Sequence, residues 1–378
     1  MKVKDLQRGA SAPMCTAQII GSFGGGGAQR LAYNLAVGLA ERGLRSVAIA
    51  LRTKGGYGEA AGREIKLVAL GADRRRPLSI LMAFFSLRRL IREERVDLLH
   101  VHGANSLPFV ALATCFLRCP PRLVFTWHDS ETVLEERGWR KRLMVWALRR
   151  CDALSGSARA VAQKLNDRAG IEQVGIFYGG VPNSAVPARK ETRSPLIMWL
   201  GRIVPSKDPQ ILIRAAARLW AEGLRFSVCI AGKPIPSTVW YMDETRALIG
   251  SLGLTEIVST PGFVSDDELH EIMGRAEISV QTSHTEGMSI ALMENMMSGL
   301  AIVATDVGDT STAVEDGVSG IIIPPKDEQR LTDALRRLLT DLQLRKRLGV
   351  AARQQAEQRF SIAALANRAV DQYAALVR

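Results

Sequence analysis

Two carboxylates, Glu286 and Glu294, stand eight positions apart, with Gly287 after the first and Met288, Ile290, Ala291, Leu292 and Met293 as an apolar pattern between them. A strand-like run, Ile278 to Gln281, precedes the pair, and Gly299-Leu300-Ala301-Ile302-Val303-Ala304-Thr305 follows it. Strand, loop, helix, glycine, strand is one repeat of a parallel α/β sheet, whose ligands bind at the carboxyl ends of the strands. Glu286 is expected on that rim, and Glu294 about two turns along the helix. Carboxylates accept hydrogen bonds from paired hydroxyls, and a helix start, here Gly287-Met288-Ser289, offers N–H groups to phosphate. The pattern suits a ligand with an anionic part and several hydroxyls.

Cations stand upstream. Arg202 and Lys207 lie five positions apart just after Gly201, at the end of a strand-like run from Leu196 to Leu200. Guanidinium grips phosphate oxygens in pairs and ammonium acts as a point charge, so this loop suits a diphosphate. Another glycine loop, Gly24-Gly25-Gly26-Gly27, joins the first strand to the first helix. It fails as a dinucleotide fingerprint: Gln29 stands where a glycine or alanine is needed, and the second strand ends at Leu51-Arg52 without an acidic residue for ribose. His128 and Asp129 follow the strand Leu123 to Thr126, and His102 ends another strand. His100 shares a face with His102 by the two-residue period of a strand, so one of the two is open to being core.

The elements that must position these residues come in two alternating series. The first runs from strand Ala17–Ser22 and helix Ala28–Arg42 to strand Val174–Phe177, with helices over Leu78–Glu94, Ser106–Arg118, Arg140–Arg149 and Ala158–Asp167. Residues 179–195 are rich in glycine, proline, serine and charge and read as a linker. The second series runs from strand Leu196–Leu200 through helices Pro209–Glu222, Met242–Leu252 and Asp266–Gly274 to Glu328–Thr340 and Leu342–Phe360. Two doubly wound α/β domains follow, 1–187 and 188–360, with the last helix, about 361–378, expected to pack back onto the first. The cleft between such domains is the expected ligand site.

The bulk numbers agree with that organisation. A chain of 378 residues, 47% hydrophobic and 23% charged, suits two globular domains rather than one core. No apolar run approaches the ~20 residues of a spanning helix, and Met1 to Ser11 lacks the apolar centre of a secretory leader, so a cytoplasmic location is expected. Cys15, Cys115, Cys119, Cys151 and Cys229 are odd in number and scattered; Cys115 and Cys119 share a helix face in this reading, without a His/Cys cluster to complete a zinc site. The net charge of +12 is concentrated before residue 150, in Arg74-Arg75-Arg76, Arg88, Arg89, Arg92, Arg95, Arg140-Lys141-Arg142 and Arg149-Arg150. Such surfaces suit anionic lipid or phosphorylated substrates, and no nucleic-acid module is present. Helix Leu78–Glu94 carries Leu78, Leu81, Met82, Phe85 and Leu90. Either these residues attach the chain peripherally to anionic lipid, or they pack on the sheet and the arginines are merely solvated.

From about Ala17 to Arg378 the chain resembles the retaining glycosyltransferase family 4. Glu286 to Glu294 matches its E-x7-E motif, Gly201-Arg202 with Lys207 its Gly-Arg-x-x-x-x-Lys element, and Gly26-Gly27-Ala28-Gln29-Arg30 its Gly-Gly-Ala-Glu-Arg turn. Thr126-Trp127-His128-Asp129 matches Thr-x-His-Asp, and His100-Val101-His102-Gly103 the H-x-H-G rim. The resemblance implies the GT-B fold, two Rossmann-like domains facing across a cleft. It implies a nucleotide-diphosphate sugar as donor, with a UDP-sugar favoured over GDP-mannose, and a hydroxyl of a lipid-linked or cell-envelope glycan as acceptor. Arg202 and Lys207 would hold the diphosphate, Glu294 the ribose and Glu286 the sugar hydroxyls. His128 would face the transferred sugar. Gly26, Gly27, Gly201, Phe263, Val264, Gly287, Met288 and Ser289 would complete the donor site, with His102 and Asp129 on the acceptor side. No cofactor is implied, and the missing Asp-x-Asp implies no metal. The chain departs from the family at Gly179-Gly180-Val181-Pro182, where Asn-Gly-Val/Ile-Asp is common, and at Asp208, where glycine is common. Alternatives that keep the fold are a glycan phosphorylase with a pyridoxal-phosphate lysine and a non-catalytic glycan-binding protein.

Overall fold

Apolar strands separated by amphipathic helices bury themselves best as parallel sheets covered on both faces. The computed structural model describes residues 7–8, 12–23, 26–55, 65–128, 138–171, 174–183 and 194–377. It divides into two units, residues 1–181 with 362–378, and residues 182–361. The sequence-read boundary at 187 lies outside the described residues.

In unit 1 the short strands β1 (Gln7–Arg8) and β2 (Ala12–Pro13) pair antiparallel. The main elements are β3 (Cys15–Ile20), α1 (Gly27–Ala40), β4 (Arg45–Ala50), β5 (Lys66–Ala69), α2 (Pro77–Glu93), β6 (Leu98–His102) and α3 (Leu107–Cys115). They continue with β7 (Arg122–Trp127), α4 (Trp139–Leu148), β8 (Ala153–Gly156), α5 (Arg159–Ala169) and β9 (Gly175–Ile176). The parallel sheet has the order β5-β4-β3-β6-β7-β8-β9. The helix expected over 106–118 is shorter: a 3₁₀ turn, Ala104–Ser106, leads into α3, which stops at Cys115. Pro120 and Pro121 oppose helical backbone just ahead of them, so Cys119 lies off the helix and shares no face with Cys115.

Unit 2 comprises β10 (Leu196–Leu200), α6 (Pro209–Ala221), β11 (Ser227–Ala231), α7 (Val239–Ser251), β12 (Val258–Gly262), α8 (Asp266–Arg275) and β13 (Ala276–Gln281). Then come α9 (Ile290–Met297), β14 (Ala301–Thr305), α10 (Thr310–Ala313), β15 (Ile321–Ile323), α11 (Glu328–Thr340) and α12 (Leu342–Phe360). Side-chain caps set several helix starts. Ser265 and Glu268 form a reciprocal capping box, Asp208 caps α6 ahead of Pro209, and Ser289, Asp327 and Asp341 cap α9, α11 and α12. The sheet order is β12-β11-β10-β13-β14-β15. The order reverses between β10 and β13, as it does between β3 and β6 in unit 1. Outside the carboxyl ends at such a switch point, loops diverge and leave a crevice.

The last helix, α13 (Ile362–Val377), belongs to unit 1. Its buried stripe Leu365, Ala366, Ala369, Val370, Tyr373 and Ala374 packs with Leu31, Leu35 and Leu39 of α1 over Leu98 and Val124. Approach is close at Gly38, where an added Cβ would lie 2.6 Å from Ile362. The opposite sheet face carries Leu87, Leu90 and Ile91 of α2, Val110 of α3, Met144 of α4 and Leu165 of α5.

Candidate functional site

Three loops meet at the switch point of unit 2. The Gly201 N–H donates to Ala231 O (3.1 Å) and the Ile203 N–H to Lys233 O (3.1 Å), which ties the loop after β10 to the loop after β11. Gly232 has φ +148°, and a Cβ there would lie 1.7 Å from Gly201 O, so the approach demands glycine. The chain then turns through a 3₁₀ segment, Pro205–Lys207. The loop after β13 closes on that turn: Thr282 Oγ1 donates to Lys207 O (2.8 Å) and the His284 N–H to Ser206 O (2.8 Å). Lys207 and Glu286, read from sequence as separate phosphate and sugar groups, are brought together as an ion pair with both side chains mostly buried. Burial, and then the positive charge of Arg202, push the Lys207 ammonium down to about 8 against that pairing. Arg202 itself is exposed.

A fourth loop holds Glu286 from its other side. The Asp309 N–H donates to Gly287 O (3.0 Å). Gly308 has φ +58°, and a Cβ there would come within 2.1 Å of Glu286 O. Helix α9 begins at Ile290 and not at Glu286, because Ser289 is extended and its Oγ accepts from the Leu292 N–H (3.3 Å). Glu294 is therefore just over one turn into the helix, not two, and half-buried. Gly287 and Met288 are half-buried, and Ser289 is buried. Phe263 is exposed with Lys233 Nζ 4.8 Å from its ring centroid, and Val264 is half-buried.

One cluster escaped the sequence reading. Asp208, buried at φ +40°, accepts from the Ile211 N–H (3.3 Å) and from the Tyr241 hydroxyl (3.4 Å), and its other oxygen meets His284 Nε2 (2.9 Å). The carboxylate tolerates left-handed backbone by bonding locally, which accounts for its standing where glycine is common. Burial, with the Asp208 charge next, pushes the Tyr241 hydroxyl up, so it remains a donor. An Asp-Pro pair at a helix start is a capping signal that could have found Asp208, but nothing in the spacing points to His284.

Unit 1 presents a different chemistry at its strand ends. Gly26 caps α1 and its N–H donates to Gln29 Oε1 (2.9 Å); Gly27 is the first helical residue. Gly24, Gly25 and Asp129 lie outside the described residues. His102 Nε2 meets Gln18 Oε1 (3.0 Å), and His102 Nδ1 meets His128 Nε2 (3.2 Å). His100 Nδ1 meets the Tyr373 hydroxyl (2.7 Å), and His100 Nε2 meets Thr126 Oγ1 (2.7 Å). The His100 and His102 rings stack at 4.2 Å. With the Gln18 amide oxygen assigned toward His102, His102 carries its proton on Nε2 and His128 on its own Nε2, leaving His128 Nδ1 unprotonated. Burial pushes His100 down to about 3 and His128 to about 4, and holds His102 well below the usual imidazole range. All three are neutral at pH 7. His100 and His102 are both fully buried on the α13 side of the sheet, and His128 alone of the three is partly exposed. Among the described residues no cluster of His, Cys, Asp and Glu could hold a metal ion.

Residues 159–355, just over half of the chain, match the family model described as Glycosyl transferases group 1, and residues 25–184 match Glycosyltransferase Family 4. Among curated relatives, the alpha-D-kanosaminyltransferase of Streptomyces kanamyceticus is 32% identical over 49% of this chain and 45% of that protein. The D-inositol 3-phosphate glycosyltransferase of Frankia alni is 29% identical over 53% of this chain and 55% of that one. The chain thus spans about half the length of the curated relatives it matches. Among solved structures, Anabaena HepE in complex with UDP and glucose superposes with a TM-score of 0.77 at 19% identity, over 96% of this chain and 99% of that one. A glycosyltransferase from Rickettsia africae superposes with 0.78 at 16% identity, over 97% and 100%. At these identities the likeness shows the fold, the GT-B arrangement of two Rossmann-like domains.

Proposed function

This chain belongs to the family of glycosyl transferases group 1, and we propose that it is a retaining, metal-independent glycosyltransferase. It moves a sugar from a nucleotide-diphosphate sugar to a hydroxyl of a lipid-linked or cell-envelope glycan. The observation that carries this reading is the Lys207–Glu286 pair beside Arg202 at the switch point of unit 2. A diphosphate entering there meets two cations on one loop, and a sugar meets the Glu286 carboxylate. A UDP-sugar is the favoured donor, a choice supported by the UDP and glucose bound in HepE.

Lys207 and Arg202 stabilise the charge that develops on the departing diphosphate, which is the term on which such a step depends most. Glu286 is held by an ammonium and so is a poor nucleophile, which favours front-face attack over a covalent glycosyl-enzyme. The acceptor oxygen bonds to the anomeric carbon, the bond from that carbon to the β-phosphate oxygen breaks, and the acceptor proton passes to that departing oxygen. Glu294 binds ribose hydroxyls. Unit 1 takes the acceptor, with neutral His128 as a hydrogen-bonding group and not a cation. A donor panel scored by nucleotide release and by thermal shift tests the reading. Release of UDP from one UDP-sugar, with retention at the anomeric carbon of the product, is expected. Stabilisation by no nucleotide or nucleotide sugar removes the proposal.

A further inference from the structure

Helix α2 has two apolar faces, and only one is used by the fold. Ala83, Leu87, Leu90 and Ile91 are buried against the sheet. Leu90, grouped in the sequence with Leu78, Leu81, Met82 and Phe85, thus belongs to the core. Leu78, Leu81, Met82 and Phe85, at helical i, i+3, i+4 and i+7 spacing, face solvent, with Leu78 75% and Met82 69% exposed. Arg89 and Arg92 continue the same stripe, and exposed Arg74, Arg75 and Arg76 precede it.

The neighbouring helices repeat the design. On α3, Leu112 and Phe116, just beyond its end, are exposed. Arg88 of α2 donates to Phe116 O (3.0 Å), and its guanidinium lies 5.6 Å from the Phe84 ring centroid. On α4, Trp139 (73% exposed), Leu143 and Trp146 form an outward line interleaved with Arg142, Arg149 and Arg150. Lys141, Arg142, Val145, Trp146, Arg149 and Arg150 line a groove along that helix. Helices α2, α3 and α4 lie side by side, α3 between the other two. Among the described residues of this face acidic side chains are few: Glu93 pairs with Arg89 (2.6 Å), Asp73 lies 3.9 Å from Arg76, and α4 has none.

We propose that the outer face of α2, α3 and α4 is a docking surface for a bilayer containing anionic phospholipid. Apolar side chains that no described element of the unit covers sit among arginines that would meet lipid phosphates, and exposed indoles suit the headgroup boundary. A second copy of the chain is excluded as occupant by charge, since it would bring the same arginines. Among the described residues no helix is long and apolar enough to cross a membrane, so attachment is to the surface. The surface is independent of the proposed sugar transfer, because binding is read without donor or acceptor.

Vesicle flotation tests it, with phosphatidylcholine alone and mixed with phosphatidylglycerol, at low and high salt. Binding to the anionic vesicles only, weakened by salt, is expected. Met82→Glu with Phe85→Glu should lower partitioning about tenfold or more. These positions are exposed, and circular dichroism checks that the fold is kept. Brominated anionic lipid should quench the indoles, and Trp139→Phe with Trp146→Phe should remove most of that quenching. Equal binding to neutral vesicles, no binding at all, unchanged binding of the folded glutamate variant, or quenching that survives the double Phe variant would each overturn the proposal. So would capture of the surface by an acidic protein with no vesicle binding.

Discussion

Both units wind a parallel sheet in the same order about its switch point, yet they place opposite chemistries at their strand ends. Unit 1 buries two neutral imidazoles, His100 and His102, stacked on each other and bonded to Gln18, Thr126 and Tyr373, with a third, half-exposed His128, against His102. Unit 2 gathers Arg202, Lys207, Glu286, Asp208 and His284 on loops laced to one another by backbone hydrogen bonds. The difference teaches where charge is tolerated. In unit 1 the buried pair His100 and His102 lies on a strand, under α13, where burial forbids ionisation. In unit 2 they lie on loops beyond the strands, where partial exposure and opposite charges sustain ions.

That contrast can be broken most forcefully at the cations. Arg202→Ala and Lys207→Ala should each reduce transfer by ~10²-fold or more, the loss expected when leaving-group stabilisation is removed, with the thermal transition kept. Near wild-type turnover in a folded double variant would end the diphosphate role.

Acid should act on unit 1. His100 and His102 have folded-state values far below the unfolded value, so the unfolded chain binds more protons once pH falls below about 6.5. Their contribution to stability is intact above that pH and declines as pH falls through it. Between pH 6.5 and 5.5 the two together should cost about 2 kcal/mol. Calorimetry should show unit 1 weakening before unit 2. Equal shifts of both transitions would mean that the imidazoles are not held neutral.

Alkali should act on unit 2. Lys207, held at about 8 by burial and Arg202, loses its charge as pH rises through that value. Donor affinity should fall by up to about tenfold between pH 7 and 9, and Lys207→Arg should flatten the profile. A wild-type profile without a decline would place the cation outside the donor site. The smallest effect is expected from chelation: with Arg202 and Lys207 offsetting the phosphate charge, EDTA should leave the rate within about twofold. Full loss restored by manganese or magnesium would transfer that role to a metal.

The alternation of strands and helices was legible because burial of both sheet faces forces near-continuous apolar strands, which helical periodicity sets apart from the helices between them. The loop at Gly201 to Lys207 and Glu286 after β13 were legible for the same reason: their places beyond strand ends follow from element order alone. Where elements ended was less so, as α3 shows, since prolines downstream act on backbone that periodicity alone extends.

The tertiary structure decided what sequence order leaves open, namely which distant groups touch. Pairing Lys207 with Glu286 needs the register of β10 against β13, and the Asp208–His284 contact needs the same loops closed on one turn. His100 and His102 could have been rim or core until α13, far along the chain, laid Tyr373 over them. The apolar residues of α2 read as one face in sequence. Packing splits them, because a helix lying on a sheet buries one side only, and whatever stands on its other side is left to solvent or to a partner.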